Sequence, residues 1–230
     1  MQRVAELRQK GRSPKEVARA LGLRPADVMP VIRAIAAQAS KREALVAGCW
    51  VTGHWSDNLG VTGHPDWPGL PAGESESGDS GLVGVLVARD TGSTIVACGF
   101  LVDVFCLGVK NTNGPKTMDR RKLPDFNRTF FSAWPSQSPV SAPLELARHI
   151  VFGAVDYARG LGFEPHPDFA RGAALLGDWE KGTSDITFGR DGKPFYINGP
   201  RDDTYGTLAK LRQTAGDGKF EYLIQFPGTA

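Results

Sequence analysis

Apolar residues in the first part of the chain recur at helical spacing and are interrupted at two glycines. The first stripe stops at Gly11; the second follows Ser13 and Pro14, which suit an N-cap and the first helical turn, and stops at Gly22. A third stripe follows Pro25. The pattern predicts three short helices, and a tight glycine-containing turn between the second and third is typical of a helix-turn-helix arrangement. The stripes consist of Val4, Ala5 and Leu7; Val17, Ala20 and Leu21; and Val28, Val31, Ile32 and Ile35.

Beyond residue 47 the pattern changes to the short apolar runs of strands, with helices among them. The runs at 82–89 and 94–109 are rich in β-branched residues and flank turn residues at 90–93, which predicts a β-hairpin. Because the second run is long for one strand, we expect a bend or bulge at Cys98–Gly99 or Leu107–Gly108. Downstream, the pattern predicts a helix from Ser141 to Gly162 and a second helix that ends at about Leu176. It then predicts a hairpin of residues 185–188 with 194–198, a helix that is capped by Asp202 or Asp203 and ends at about Thr214, and a strand at 219–226.

Two stretches show neither the helical spacing of apolar residues nor the apolar runs of strands. Residues 53–81 are rich in Gly and Pro, which predicts a long flexible loop, and for its His54 and His64 solvated side chains are favoured over a metal site. Residues 111–140 are predicted to form a connector in which basic and aromatic side chains are interleaved. That composition suits either a single nucleic-acid strand or aromatic anchors in the core.

These patterns predict an α+β fold in two parts. Residues 1–47 form a small N-terminal three-helix, helix-turn-helix-like module with a connector helix, and residues 48–230 form a domain in which helices pack on a mainly antiparallel sheet. A length of 230 residues fits one full-sized domain with an appendage.

Composition adds a location and a charge asymmetry. The chain has no apolar run of about 18 residues, no apolar secretory signal and only three scattered cysteines, so a cytoplasmic protein without a membrane segment is expected. The formal net charge is +2, but residues 1–47 carry ten Lys and Arg against four Asp and Glu, a net +6. The other 183 residues carry a net −4. A basic module on a mildly acidic body indicates a polyanion partner for the first part.

The string SPKEVARALGLRPADVMPVIRAIAA, and EVARALGL within it, resembles the helix-turn-helix segments of resolvase-like and sigma-factor-like bacterial proteins. The resemblance implies DNA contact. Two residues depart from the pattern: Pro30 removes an amide inside the presumed recognition helix, and Asp27 would face phosphates. The basic residues predicted to bind nucleic acid are Arg12, Lys15, Arg19, Arg24 and Arg33.

The module is also similar to the helical N-terminal modules of initiation-factor and ubiquitin-associated type, which bind the ribosome or a protein. RNA, the ribosome, a protein partner and a second copy of this chain therefore stay open as partners beside DNA.

Five polar residues are candidates for an active site in the body. Asp103 lies in the apolar string FLVDVFCLGVK. It serves either as an acid/base or metal ligand, with Lys110 as its electrostatic partner, or as a structural aspartate that is hydrogen-bonded to a loop amide. The structural role is favoured here. His149, His166 and Asp168 are expected to converge because one helix end leads directly into the next helix. Helix capping explains His166 and Asp168 without catalytic chemistry and is favoured here.

The strings FLVDVFCLGVK, AVDYARGLGFEPHPDF and FGRDGKPFYINGPRDD resemble those of an uncharacterised bacterial α+β family over about residues 49–226. The resemblance implies a shared body with exchangeable N-termini, and it assigns no catalytic residue.

The sequence predicts a cytoplasmic nucleic-acid-associated protein, DNA-binding before RNA-binding, whose body is a partner-binding or regulatory unit, with no cofactor or metal. The first alternative is a metal-dependent hydrolase or nuclease with a site around Asp103, His149 and His166. The second is an adaptor without catalysis that binds RNA, the ribosome or a protein. Whether the chain is an enzyme is left open.

Overall fold

In the computed structural model the chain divides into two compact units, Met1–Ala44 and Leu45–Ala230. The structure describes residues 14–24, 27–31, 45–69, 81–179 and 182–225. Within these ranges no helix has the length and apolar character needed to cross a bilayer.

In the N-terminal unit, α1 (Pro14–Leu21) ends at the predicted glycine. Gly22 has φ +66°, and the N–H of Leu23 donates to the carbonyl of Ala18 at 3.0 Å, as in a Schellman motif. Residues 27–31 are helical as well. The predicted first helix and most of the third lie outside the described residues, so the three-helix module stays a prediction.

The body contains a five-stranded antiparallel sheet formed by β1 (Val46–Thr52), β3 (Leu82–Asp90), β4 (Ile95–Asp103), β5 (Gly108–Met118) and β6 (Pro139–Ser141). The strands lie in the order β5-β4-β3-β1-β6. The predicted hairpin is confirmed: β3 and β4 pair over their whole length, from Leu82 opposite Asp103 to Asp90 opposite Ile95. The predicted α+β class with a mainly antiparallel sheet is likewise confirmed.

The long second run is interrupted as expected. A turn at 104–107 separates β4 from β5, and the register of the two strands shifts between Ala97 and Gly99. A second register shift leaves Lys110 without a residue opposite it in β4. Such a β-bulge changes the direction of the side chain at the extra residue, here Lys110. The interpretation of residues 111–140 as a connector is wrong in its first part, because β5 continues to Met118.

Both faces of the sheet are covered, and this explains the continuous apolar run of β3. Val85 and Val87 belong to the core that includes Ile150 of α3, whereas Leu86 packs with Phe131 of α2 on the other face. The aromatic residues after β5 thus act as anchors in the core. The helices of the body are α2 (Leu123–Phe131), α3 (Leu144–Gly160), α4 (Phe169–Ala173) and α5 (Thr204–Thr214).

The C-terminal strands do not form the predicted hairpin. β7 (Ile186–Thr187) pairs with β2 (Gly60–Val61), and β8 (Phe195–Ile197) pairs in parallel with β9 (Glu221–Leu223). The turn between them does form, since the N–H of Lys193 donates to the carbonyl of Arg190 at 3.0 Å, but tertiary contacts give each flanking strand another partner. The predicted cap of the last helix is confirmed, since the side chain of Asp203 accepts from the amide of Gly206.

Candidate functional site

Side chains from three distant parts of the body meet beside the N-terminal half of α3. His64 follows β2, His149 lies in the second turn of α3, and Asp185 immediately precedes β7. Nε2 of His64 lies 2.7 Å from Oδ2 of Asp185, and Nε2 of His149 lies 3.8 Å from the same oxygen. Glu145, one helical turn before His149, completes the group: single ligand atoms of Glu145 and the two histidines lie within 4.8 Å of one another.

Two tryptophans enclose one side of this group. The ring of His64 stacks on Trp67 with 3.9 Å between the centroids, and Trp67 meets His149 edge-on at 5.0 Å. Trp179 contacts the ring of His149 in the same edge-on manner. His149 is 1% exposed, whereas the side chains of His64 and Asp185 are 18% and 25% exposed. His149 is therefore buried, whereas solvent reaches the side chains of His64 and Asp185.

Hydrogen bonds determine which ring nitrogen of His149 carries the proton. The amide N–H of Asp185 donates to Nδ1 at 2.9 Å, so Nδ1 must offer its lone pair. A neutral imidazole has a single N–H, which then lies on Nε2, the atom that faces the carboxylate of Asp185. The hydroxyl of Ser184 leaves this assignment unchanged, because it donates to the backbone carbonyl of His149 at 3.1 Å.

Sequence reasoning named only part of this group. His149 was a candidate catalytic residue and His64 a loop histidine, whereas Glu145 and Asp185 were missed. His64 and Asp185 are 121 residues apart, so no local pattern joins them. The spacing of Glu145 and His149 on one face of α3 is the one signal that points to the group.

The side chain of Asp103 accepts hydrogen bonds from backbone amides of the turn after β4. Its Oδ1 accepts the N–H of Phe105 at 3.0 Å and that of Cys106 at 2.9 Å. Burial raises the pKa of this carboxyl to about 6, against the opposing effects of Lys110 and the turn amides. These contacts match the structural alternative of the sequence analysis.

Lys110 ties β5 to the segment before α5. Its Nζ donates to Oδ2 of Asp202 at 2.7 Å, and the amide of Gly199 donates to the same oxygen at 2.8 Å. Burial alone would raise the pKa of Asp202, but these hydrogen bonds outweigh it and hold the pKa below its usual value.

His166 and Asp168 contact each other at the start of α4. The amide of Asp168 donates to Nδ1 of His166 at 3.2 Å, and the amide of His166 donates to the carbonyl of Val109. In the part of the chain that the structure describes, the group of His64, Glu145 and His149 is where three ligand-type side chains come within 4.8 Å. The expected convergence of His149 with His166 and Asp168 is not seen there.

Two of the residues predicted to bind nucleic acid have described side chains. Arg19 is exposed at the end of α1. Arg24 is also exposed, and Nε and one terminal nitrogen of its guanidinium donate to the two carboxylate oxygens of Asp27 at 2.9 and 3.1 Å. Arg12, Arg33 and the side chain of Lys15 lie outside the described residues.

Comparison with family models, with curated proteins and with solved structures found no match for the chain. The family resemblances stay predictions.

Proposed function

We propose that the protein binds nucleic acid, DNA in preference to RNA, through its N-terminal unit. The observation that carries the proposal is the packing of α1 against residues 27–31, in which Val28 contacts Val17 and Ala18 across the turn at Gly22. Compact helix pairs of this kind are the framework of helix-turn-helix modules. The net charge of +6 over residues 1–47 favours a polyanion as the partner.

Contacts to phosphates, more than contacts to bases, are expected to provide the affinity. Arg19 is exposed on α1, whereas Arg24 is held by Asp27. The carboxylate of Asp27 repels a phosphate, and Pro30 removes an amide from the helical segment 27–31. Binding by such a surface depends steeply on salt and little on base sequence.

The first test removes one positive charge from the proposed surface. Arg19→Ala in the full chain is expected to weaken binding to a short DNA duplex about threefold to tenfold and to make the plot of log affinity against log salt shallower by about 0.9. Fluorescence anisotropy over a salt series measures both. Arg212→Ala, at an exposed arginine in the last turn of α5, is the matched control and is expected to change neither.

Three results would contradict the proposal: no binding of duplex DNA or RNA at low salt, an unchanged salt dependence in Arg19→Ala, or an equal loss in Arg212→Ala. Tighter binding of RNA than of DNA would overturn the preference for DNA.

The second test uses the ion pair. Asp27→Asn removes a carboxylate from the proposed surface and releases the guanidinium of Arg24, so binding of the same duplex is expected to tighten by about threefold or more. Asp125→Asn on α2 is a close control, because Asp125 forms the same three-residue-spaced pair with Arg128 in the body. Equal affinities of Asp27→Asn and the unaltered protein, measured by anisotropy, would show that Arg24 does not reach the phosphates.

A second candidate function is hydrolysis, with a nuclease as one form of it. The observation that favours it is the group of His64, Glu145 and His149, in which two imidazoles and a carboxylate face one another. This candidate site differs from the one predicted from the sequence, which comprised Asp103, His149 and His166. Of these three residues, only His149 belongs to the group.

A further inference from the structure

We propose that a cleft in the body binds one nucleotide of a single-stranded nucleic acid, with the base against the ring of Phe126 and a phosphate beside Lys116 and Lys122. The cleft lies between β5 and α2, and residues of both elements line it. Binding there is separate from the proposed binding of duplex DNA by the N-terminal unit, and either can fail without the other.

The size and lining of the cleft suit one nucleotide of a longer strand. Its volume is about 500 Å³, within the range of about 300–1,000 Å³ that is usual for small-ligand sites. Met118, Phe126 and Phe130 give it an apolar lining, and most of its other lining residues are exposed. Small ligands are usually held in sites that enclose them, whereas a strand gains affinity from several open contacts along its length. A cleft that is open to solvent therefore favours a strand over a free nucleotide.

The cleft is basic within an acidic body. Residues 116–128 carry five Lys and Arg against two Asp, a net +3, whereas the chain beyond residue 47 carries a net −4. Lys116 and Lys122 are exposed in the lining, and neither forms an ion pair with a carboxylate of the described residues. Asp125, which also lines the cleft, pairs with Arg128. Two ammonium groups are thus available to a phosphate.

An aromatic face next to an ammonium group favours a nucleotide over other anions. Phe126 is half-buried, and Nζ of Lys116 lies 5.3 Å from the centroid of its ring. A nucleotide presents a flat base together with a phosphate, and these are the two groups that aromatic and basic side chains of single-strand-binding proteins contact. Because the bases of a duplex are already paired and stacked, the cleft is expected to select single strands.

A similar pair elsewhere in the body provides matched controls. Nζ of Lys210 lies 5.4 Å from the centroid of the Phe163 ring, but it also donates to the carbonyl of Gly162 at 3.1 Å. Neither Lys210 nor Phe163 lines the cleft. Substitution of this pair therefore removes the same kinds of side chain from the body without changing the proposed site.

Fluorescence anisotropy of the full chain with labelled, single-stranded oligothymidylate and oligouridylate tests the cleft, and at least one of the two is expected to bind. Phe126→Leu keeps an apolar side chain but removes the ring, and it is expected to weaken binding about fivefold or more. Lys122→Ala is expected to weaken binding about threefold to tenfold and to make the plot of log affinity against log salt shallower by about 0.7. Phe163→Leu and Lys210→Ala are expected to change neither quantity, and Phe126→Leu is expected to leave the binding of duplex DNA unchanged.

Cross-linking locates the base independently of affinity. A strand that carries iodouracil is expected, on irradiation, to cross-link to Phe126 or Met118, as identified by mass spectrometry. Cross-links confined to residues 1–47 would place single-strand binding in the N-terminal unit and overturn the proposal. Absence of binding by both strands, or equal losses in Phe126→Leu and Phe163→Leu, would overturn it as well. Because Lys122 is exposed, Lys122→Ala keeps the test valid even if Phe126→Leu fails to fold.

Discussion

Replacing Gly108 with alanine is expected to lower the free energy of unfolding by about 3 kcal/mol. Gly108 begins β5 with φ +67°, in the left-handed region, where alanine costs about 1–2 kcal/mol. An added Cβ would also lie 2.9 Å from the carbonyl oxygen of Ala154 and 2.9 Å from Cβ of Ala158, both in α3. Relief of that clash requires α3 to move away from the sheet, which loosens the main core.

Two further alanine variants separate the conformational cost from the clash. Gly92, in the turn between β3 and β4, has φ +95° and open space around it, so Gly92→Ala is expected to cost only about 1–2 kcal/mol. Gly160, at the end of α3, has open space and no positive φ, and Gly160→Ala is expected to stabilise by roughly 0.5–1 kcal/mol. Urea unfolding of the three variants measures the difference. If Gly108→Ala proves no less stable than Gly92→Ala, the close contact between β5 and α3 is contradicted.

Replacing Asp103 with asparagine is expected to remove a pH dependence of about 3 kcal/mol from the stability of the protein. An ordinary aspartate titrates near pH 4, but burial raises the pKa of Asp103 to about 6 despite the opposing effects of Lys110 and the turn amides. The folded state therefore holds this proton more tightly than the unfolded state does. The resulting stabilisation is fully present below about pH 4 and is lost as the pH rises through 6.

Asparagine cannot ionise, yet it keeps an oxygen for the amides of Phe105 and Cys106. Between about pH 4 and pH 7 the stability of Asp103→Asn is thus expected to rise relative to that of the unaltered protein. Urea unfolding at several pH values measures the difference.

Asp202→Asn provides a control of opposite sign. Because the pKa of Asp202 is lowered in the folded state, its carboxylate stabilises the protein at pH values above the pKa of the unfolded state, and this stabilisation is lost as the pH falls. Asp202→Asn is therefore expected to be most destabilised near neutral pH. Parallel pH profiles for Asp103→Asn and the unaltered protein would show that Asp103 is not held in the folded state with a raised pKa.

The candidate site was much less predictable than the elements that carry it. The helix with His149 follows from its apolar spacing, and so does the placement of Glu145 one turn earlier. Nothing local shows that the segment after β2 returns His64 to that helix, or that Asp185 meets it there. The aspartate that the sequence does mark as unusual, Asp103, is occupied by the amides of its own turn.

The features that could be predicted from the residues alone are those that depend on neighbours in the chain. The hairpin of β3 and β4, the cap of α5 by Asp203 and the end of α1 at Gly22 all follow from residues within a few positions of one another. The pairing of β7 with β2 and the contacts among His64, His149 and Asp185 depend instead on how distant segments pack together. These contacts join residues tens to more than a hundred positions apart, and their energies come from packing and shared hydrogen bonds that exist only in the folded body.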